Sequence, residues 1–202
     1  DYSKVLQDVW RASPAATAVR LSSGTWQRSS HLNLISEKLV EVAVEGNKRL
    51  LFEIAPRHGK SELCSHWLPV WYLSNWPDKK IILVSYEAGF AASWGRKARD
   101  EFINHPGELG KVREDVAATD WWELERGGGM VTAGVGGPIK GKGAQLIIID
   151  DPVKNWEEAQ SIVYREKTWD WYQRVLYTRA EPGASIVVLM QRWHRDDLGG
   201  RL

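Results

Sequence analysis

One twelve-residue stretch, Leu50-Leu51-Phe52-Glu53-Ile54-Ala55-Pro56-Arg57-His58-Gly59-Lys60-Ser61, limits what this chain can become more than any other. A short apolar run breaks into Pro, Gly, Lys and Ser, the form of a strand that ends in a tight bend and opens a helix. The backbone of Pro56-Arg57-His58-Gly59 can wrap an anion, while the helix beginning near Lys60 points its positive dipole end at it. In that reading Lys60 reaches the β- and γ-phosphates of a nucleotide and Ser61 holds Mg²⁺. The usual pattern is G-x-x-x-x-G-K-[ST], and Ile54 stands where its first Gly would be. The other reading of the segment is an ordinary strand-to-helix turn with an exposed lysine.

A second stretch favours the phosphate reading. Gln145-Leu146-Ile147-Ile148-Ile149-Asp150-Asp151-Pro152 places two carboxylates after four apolar residues. That is how a buried parallel strand delivers acid groups at its C-terminal end. Asp150 is then the carboxylate of the Mg²⁺ shell, directly or through water.

The remainder of the chain has to house these two stretches. With 202 residues, 43% of them hydrophobic, it can bury the core of one α/β domain over residues 1–202, with 1–25 as an N-terminal arm or helix. A formal net charge of +1 leaves no global basic excess, so any DNA contact has to be local. The single cysteine, Cys64, excludes an internal disulfide framework and reads as a small buried residue. No apolar stretch approaches the ~20 residues of a membrane span, and Asp1-Tyr2-Ser3-Lys4 is no signal peptide, so a soluble protein is expected. The chain begins without Met and ends on Gly199-Gly200-Arg201-Leu202, which suggests a fragment of something longer. Twelve tryptophans suit core and interface packing.

Along the chain, Val5, Val9 and Trp10 suggest a helix that Ser13-Pro14 interrupts. Trp26-Gln27 precedes an amphipathic helix from His31 to near Gly46-Asn47. An aromatic ring beside a Gln amide suits adenine, because the amide pairs with both a donor and an acceptor edge. The alternative is a surface Gln beside a core Trp. After the phosphate loop a helix over 61–73 is expected, kinked or ended by Pro69. A strand over 80–86 and a helix over 88–104 follow, a βαβα order that favours a parallel sheet with right-handed crossovers. Residues 105–118 read as irregular with some helix, and Trp121-Trp122-Glu123-Leu124 as a short strand. The Gly-rich run 134–143 carries Lys140 and Lys142 and reads either as a mobile loop approaching phosphate or as a hairpin with solvated lysines. One long helix is expected over 157–177, then a strand over 184–190 ending in Gln191-Arg192-Trp193-His194.

In this order A-P-R-H-G-K-S-E, I-I-I-D-D-P and M-Q-R-W-H-R-D-D-L resemble the ATPase domain of the large terminase subunits of tailed bacteriophages, from about Trp26 to Leu202. The resemblance implies a RecA-like ASCE P-loop fold, a mainly parallel sheet flanked by helices. It implies ATP and Mg²⁺ as cofactors, and double-stranded DNA, a portal protein, a small terminase subunit and a homo-oligomeric ring as partners. It implies a place in the host cytoplasm and a C-terminal nuclease domain that this chain does not contain.

Carried onto this sequence, the nucleotide contacts are Trp26, Gln27, Pro56, Arg57, His58, Gly59, Lys60, Ser61, Glu62 and Gln191, and the metal residues are Ser61 and Asp150. The implied catalytic set is Lys60, Asp151, Arg57 and Lys142. Two departures stand out. Many relatives follow the Walker B Asp with Glu, where this chain has the shorter Asp151; a bridging water, or Glu157 or Glu158 from the next turn, are the alternatives. Many carry an Arg in the Gly-rich loop, where this chain has Lys140 and Lys142, so Arg57 is the candidate for the missing guanidinium fork. Gln191 and Arg192 occupy the position of the family's coupling motif. Arg96, Lys97 and Arg99 are candidate DNA contacts, against the alternative of a solvated helix face. The competing functions are a P-loop helicase or translocase, and a nucleotide-binding assembly module with little turnover.

Overall fold

The computed structural model describes residues 9–139 and 143–202. Its strands are β1 (Arg49–Glu53), β2 (Lys80–Ser85), β3 (Val112–Ala117), β4 (Trp121–Leu124), β5 (Gly129–Gly134), β6 (Ala144–Asp150) and β7 (Ala180–Met190). They form one sheet in the order β1-β7-β6-β2-β5-β4-β3. The first five in that order are parallel. β4 and β3 close one edge antiparallel. This is the mainly parallel α/β sheet expected from the alternation of apolar runs and helices.

Alternation of side chains splits the core into two faces. Ile81, Leu83, Leu146, Ile148, Val187 and Leu189 face one way. Ile82, Val84, Ile147, Ile149, Ile186 and Val188 face the other. The first face is covered by α1 (Pro14–Leu21), α2 (Ser30–Glu45), the helix after the loop 54–59 and α4 (Ala88–Asn104). The helix after the loop is π-wound over Glu62–Trp67 and α-wound as α3 over Leu68–Asn75. The second face is covered by Trp171, Tyr172 and Leu176, from the end of α7 (Ile162–Trp171) and the π turn after it, and by Leu198 of α8 (Leu198–Arg201). Ile147, Ile148 and Ile149 have no exposed surface. Each adds about 1.5–3 kcal/mol of burial, which fixes the height at which the next residue, Asp150, leaves the sheet. Among the described residues no helix is long and apolar enough to cross a membrane.

Several local expectations are corrected. Ser13-Pro14 starts a helix: Ser13 caps α1 by accepting from the Ala16 amide, and Pro14 sits in the first turn, where its missing N–H costs nothing. Pro69 ends no helix. It lies at the junction where π winding gives way to α winding, and Leu68 N donates five residues back, to Leu63 O. Residues 105–118 hold a four-residue helix, α5 (Pro106–Leu109), and a full edge strand, β3. The expected single helix over 157–177 is broken into α6 (Trp156–Gln160) and α7, because Ser161 adopts an extended backbone and caps α7 at Tyr164 N. Lys140 and Lys142 lie outside the described residues, as do the first eight residues of the N-terminal arm.

Candidate nucleotide site

The parallel pairing puts the C-terminal ends of β1, β7, β6 and β2 on one edge of the sheet. Glu53 is in register with Met190, Leu189 with Asp150, and Asp150 with Ser85. The loop 54–59 leaves β1 there, with Arg57 at φ +64° and Gly59 at φ +76°. Glycine is at ease in this left-handed region, whereas a β-carbon makes it costly for Arg57. A Cβ on Gly59 would stand 3.1 Å from Leu32 Cδ1, so α2 also crowds the bend from behind. His31, one residue earlier, donates from Nε2 to the His58 main-chain oxygen at 2.9 Å. Pro56 has no amide hydrogen, so the donors of the bend begin at Arg57.

Lys60 is 5% exposed and Asp150 0%. A buried ammonium needs a counter-charge. Lys60 has two, bonding Asp151 Oδ2 closely and lying 3.9 Å from Asp150 Oδ1. Ser61 Oγ donates to Asp150 Oδ1 at 3.0 Å, and Ser65 Oγ to Oδ2 at 2.7 Å. Ser85 Oγ donates to the Asp150 main-chain oxygen at 2.6 Å. Burial pushes the Asp150 carboxyl up to about 6, against the pull of the serine hydroxyls and the Lys60 charge. Asp151 stands at φ +44° and accepts from the Gln191 amide at 3.1 Å. Its own amide donates to Leu189 O at 2.9 Å, so its position is held from β7.

The expected site residues divide into those that converge and those that do not. Lys60, Ser61, Asp150 and Asp151 meet, and the Gln191 main chain touches Asp151. Arg57 and His58 are exposed at the mouth. The Glu62 carboxylate instead bonds His66 Nδ1 at 2.7 Å and Lys97 Nζ at 2.9 Å, on the side of α4. Trp26 packs against the core and Gln27 is exposed, four residues before His31. Glu158 accepts from Lys154 N at 3.3 Å, close to its own helix start, and Glu157 is exposed. Of the candidate DNA contacts, Lys97 pairs with Glu62 and Arg99 with Asp100 and Ala117 O; Arg96 is exposed.

Sequence reasoning passed over Ser65, Ser85 and His31. Ser65 follows Ser61 by four residues and so shares its helix face, which was a usable signal. The contacts of Ser85 and His31 arise only from tertiary neighbours.

Ser61 and Asp150 offer a hydroxyl and a carboxylate oxygen side by side, the hard donors that Mg²⁺ takes from protein while drawing other ligands from phosphate and water. The residues therefore fit that ion. Among the described residues no cluster of three or more His, Cys, Asp or Glu forms a metal site. Cys64, buried behind the loop, has its thiol pushed up by burial and is an inert packing residue.

A family model described as "Terminase large subunit, T4likevirus-type, N-terminal" matches residues 51–199. The fold also matches the crystal structure of the HK97 bacteriophage large terminase with a TM-score of 0.57 and 15% identity, covering 86% of this chain and 35% of that one. The chain thus spans about a third of the length of that protein. No curated protein matches. The family match over most of the chain shows that this chain belongs to the terminase large-subunit family, as its N-terminal part, and the structural match shows the same fold.

Proposed function

We propose that this domain hydrolyses ATP to drive double-stranded viral DNA into a prohead, acting in a ring of copies on a portal protein with a small terminase subunit as partner. The observation that carries the reading is the meeting of Lys60 and Ser61 with Asp150 and Asp151 on one sheet edge, from segments about ninety residues apart in sequence.

The chain's own groups divide the work. Arg57, His58 and Gly59 offer main-chain amides to the phosphates. Lys60, within reach of both carboxylates, neutralises the β- and γ-oxygens. Ser61 and Asp150 would hold Mg²⁺, which when bound supplies positive charge to the phosphate oxygens. Asp151 orients the attacking water: it is the carboxylate beside Lys60, whereas Glu158 is engaged at its own helix start. Arg57, exposed at the mouth, and Lys142 are the cations for the developing charge. Trp26 and Gln27 immediately precede the helix that props the loop, a placement that suits adenine recognition. DNA would be gripped through its phosphates, with affinity that falls as salt rises.

A second reading is favoured by Asp151 itself. Both its oxygens are engaged, one by Lys60 and one by the Gln191 amide, as suits a module that binds nucleotide with little turnover. Steady-state ATPase and nucleotide binding in wild type, Lys60→Ala and Asp151→Asn separate the two. The motor reading requires Mg²⁺-dependent turnover that both substitutions abolish, with binding retained in Asp151→Asn. Wild-type binding without turnover would select the module, and no binding at all would overturn both.

A further inference from the structure

Ser65 lies outside every role assigned so far, and its surroundings are those of a placed group. It is fully buried, and its hydroxyl donates to Asp150 Oδ2 at 2.7 Å. Ser61, four residues earlier in the same helix, donates to the other oxygen at 3.0 Å. One helix face therefore grips both oxygens of one carboxylate. The terminal torsion of an aspartate is broad and roughly two-fold, so an isolated carboxylate at the end of β6 would turn freely between orientations. Ser65 removes that freedom. With Oδ2 tied inward, Oδ1 is the oxygen left facing Ser61 and Lys60.

We propose that Ser65 is a positioning residue for the divalent cation: by fixing the Asp150 carboxylate it sets one oxygen and the Ser61 hydroxyl as an adjacent pair of ligands. The proposal rests on the nucleotide reading above and adds to it a residue that touches neither nucleotide nor metal. A group that only satisfied a buried acid would affect folding alone. A group that aims the acid affects how tightly the cation is held, and replacing such an outer partner typically costs about 10–100-fold in metal affinity.

Ser85 supplies the control. It is equally buried and bonds the same residue, but through the main-chain oxygen at 2.6 Å, so it supports the backbone without aiming the carboxylate. The experiment is Mn²⁺ binding by electron paramagnetic resonance in the presence of a non-hydrolysable ATP analogue, with analogue affinity measured separately in EDTA. The variants are Ser65→Ala, Ser65→Thr and Ser85→Ala, each with its thermal midpoint recorded. Ser65→Ala is expected to weaken Mn²⁺ by about tenfold while leaving analogue affinity in EDTA unchanged. Ser65→Thr, which keeps the hydroxyl, is expected to recover most of the loss. Ser85→Ala is expected to lower the midpoint and leave Mn²⁺ affinity at the wild-type value. Wild-type Mn²⁺ affinity in Ser65→Ala, or equal weakening in Ser65→Ala and Ser85→Ala, would overturn the proposal. A wild-type chain that fails to bind the analogue at all would instead overturn the nucleotide reading beneath it.

Discussion

The guanidinium of Arg192 lies 2.5 Å from Glu53 Oε1, joining the segment after β7 to the last residue of β1, 139 positions away. Its Nε is 3.3 Å from Asp197 Oδ1, and Asp197 in turn accepts from the amides of Trp193, His194 and Gly200. The turn that follows β7 is therefore tied to the root of the loop 54–59 through one side chain.

Both partners of that pair are more than a third exposed, so solvent screens the interaction and its worth to stability is below about 1 kcal/mol. Glu53→Gln and Arg192→Lys should each shift the urea midpoint only slightly. Their larger effect should be on turnover. A double-mutant cycle on kcat in which the two losses fail to add would show that they act as one unit; additive losses would show that they do not.

Asp150 is a costly charge to bury, since it has no exposed surface and burial pushes its carboxyl up to about 6. Asp150→Asn keeps the shape while removing that charge; one of the two serine hydroxyls then turns to accept from the new amide, and Lys60 retains Asp151 as its partner. Relief of desolvation by about 1 kcal/mol would raise the melting midpoint by about 2–4 °C in a domain of this size. Divalent-dependent nucleotide binding should be lost in the same variant. Scanning calorimetry with and without Mg²⁺-ATP checks both halves, and a large drop in the midpoint would contradict the first.

His66 is buried between two carboxylates, with Nδ1 2.7 Å from Glu62 and Nε2 3.2 Å from Glu101. Lys97 pairs with Glu62, His105 lies 3.5 Å from Glu101, and Trp67 stacks on the imidazole. Both ring nitrogens face carboxylate oxygens, an arrangement that favours the protonated ring. Burial lowers its pKa, and the bonds to Glu101 and Glu62 outweigh that, leaving it above its ordinary 6.5. A histidine raised in this way stabilises fully below 6.5 and loses the contribution as pH climbs through the folded value. Glu62, drawn down to about 2 chiefly by its bond to His66, contributes above its ordinary 4.5 and loses the contribution as pH falls toward 2. The stability difference between wild type and His66→Gln, from urea titrations, should therefore shrink between pH 6 and pH 9. A difference that grows over that range would mean that the ring is neutral.

Gly95 sits inside α4, where Ala would ordinarily gain about 1 kcal/mol of helix propensity. Its Cβ would stand 2.4 Å from Thr119 O and 2.8 Å from Thr132 Cγ2. Its own carbonyl accepts from the Trp122 indole at 3.0 Å, so the helix cannot simply retreat. Overpacking of this kind costs about 1–3 kcal/mol, which exceeds the propensity gain. Gly95→Ala should lower stability, by up to about 2 kcal/mol, in chemical denaturation; a more stable variant would show that the contact yields.

The buried centre of the fold was legible because parallel strands covered on both faces read as unbroken apolar runs: Ile81-Ile82-Leu83-Val84, Leu146-Ile147-Ile148-Ile149 and Ile186-Val187-Val188-Leu189. The charged edge was not. β3 holds Arg113, Glu114 and Asp115 in its middle, stabilised by Arg113 pairing with Asp115 and Glu123, so no hydrophobic pattern announces it. The break at Ser161 was hidden because a serine inside an amphipathic pattern reads as a surface residue until its backbone is seen to be extended. Lys60, Ser61, Asp150 and Asp151 were legible as local strings. That Asp150 depends on three serines from two elements was not, because two of those bonds span more than 80 residues and the third 65.

β7 lies between the strand that carries the loop and the strand that carries the acids. Its consecutive carbonyls at Leu189 and Met190 accept from Asp151 N at 2.9 Å and Ile54 N at 3.2 Å, one toward each neighbour. The roots of the two jaws are thus separated by two inter-strand steps of about 4.8 Å, a slot some 10 Å across whose width is set by a single intervening strand. Widening or narrowing it means breaking or sliding bonds on that strand alone, so the mouth behaves as a gauge of fixed aperture, and opening by hinging would have to come from the loop above it.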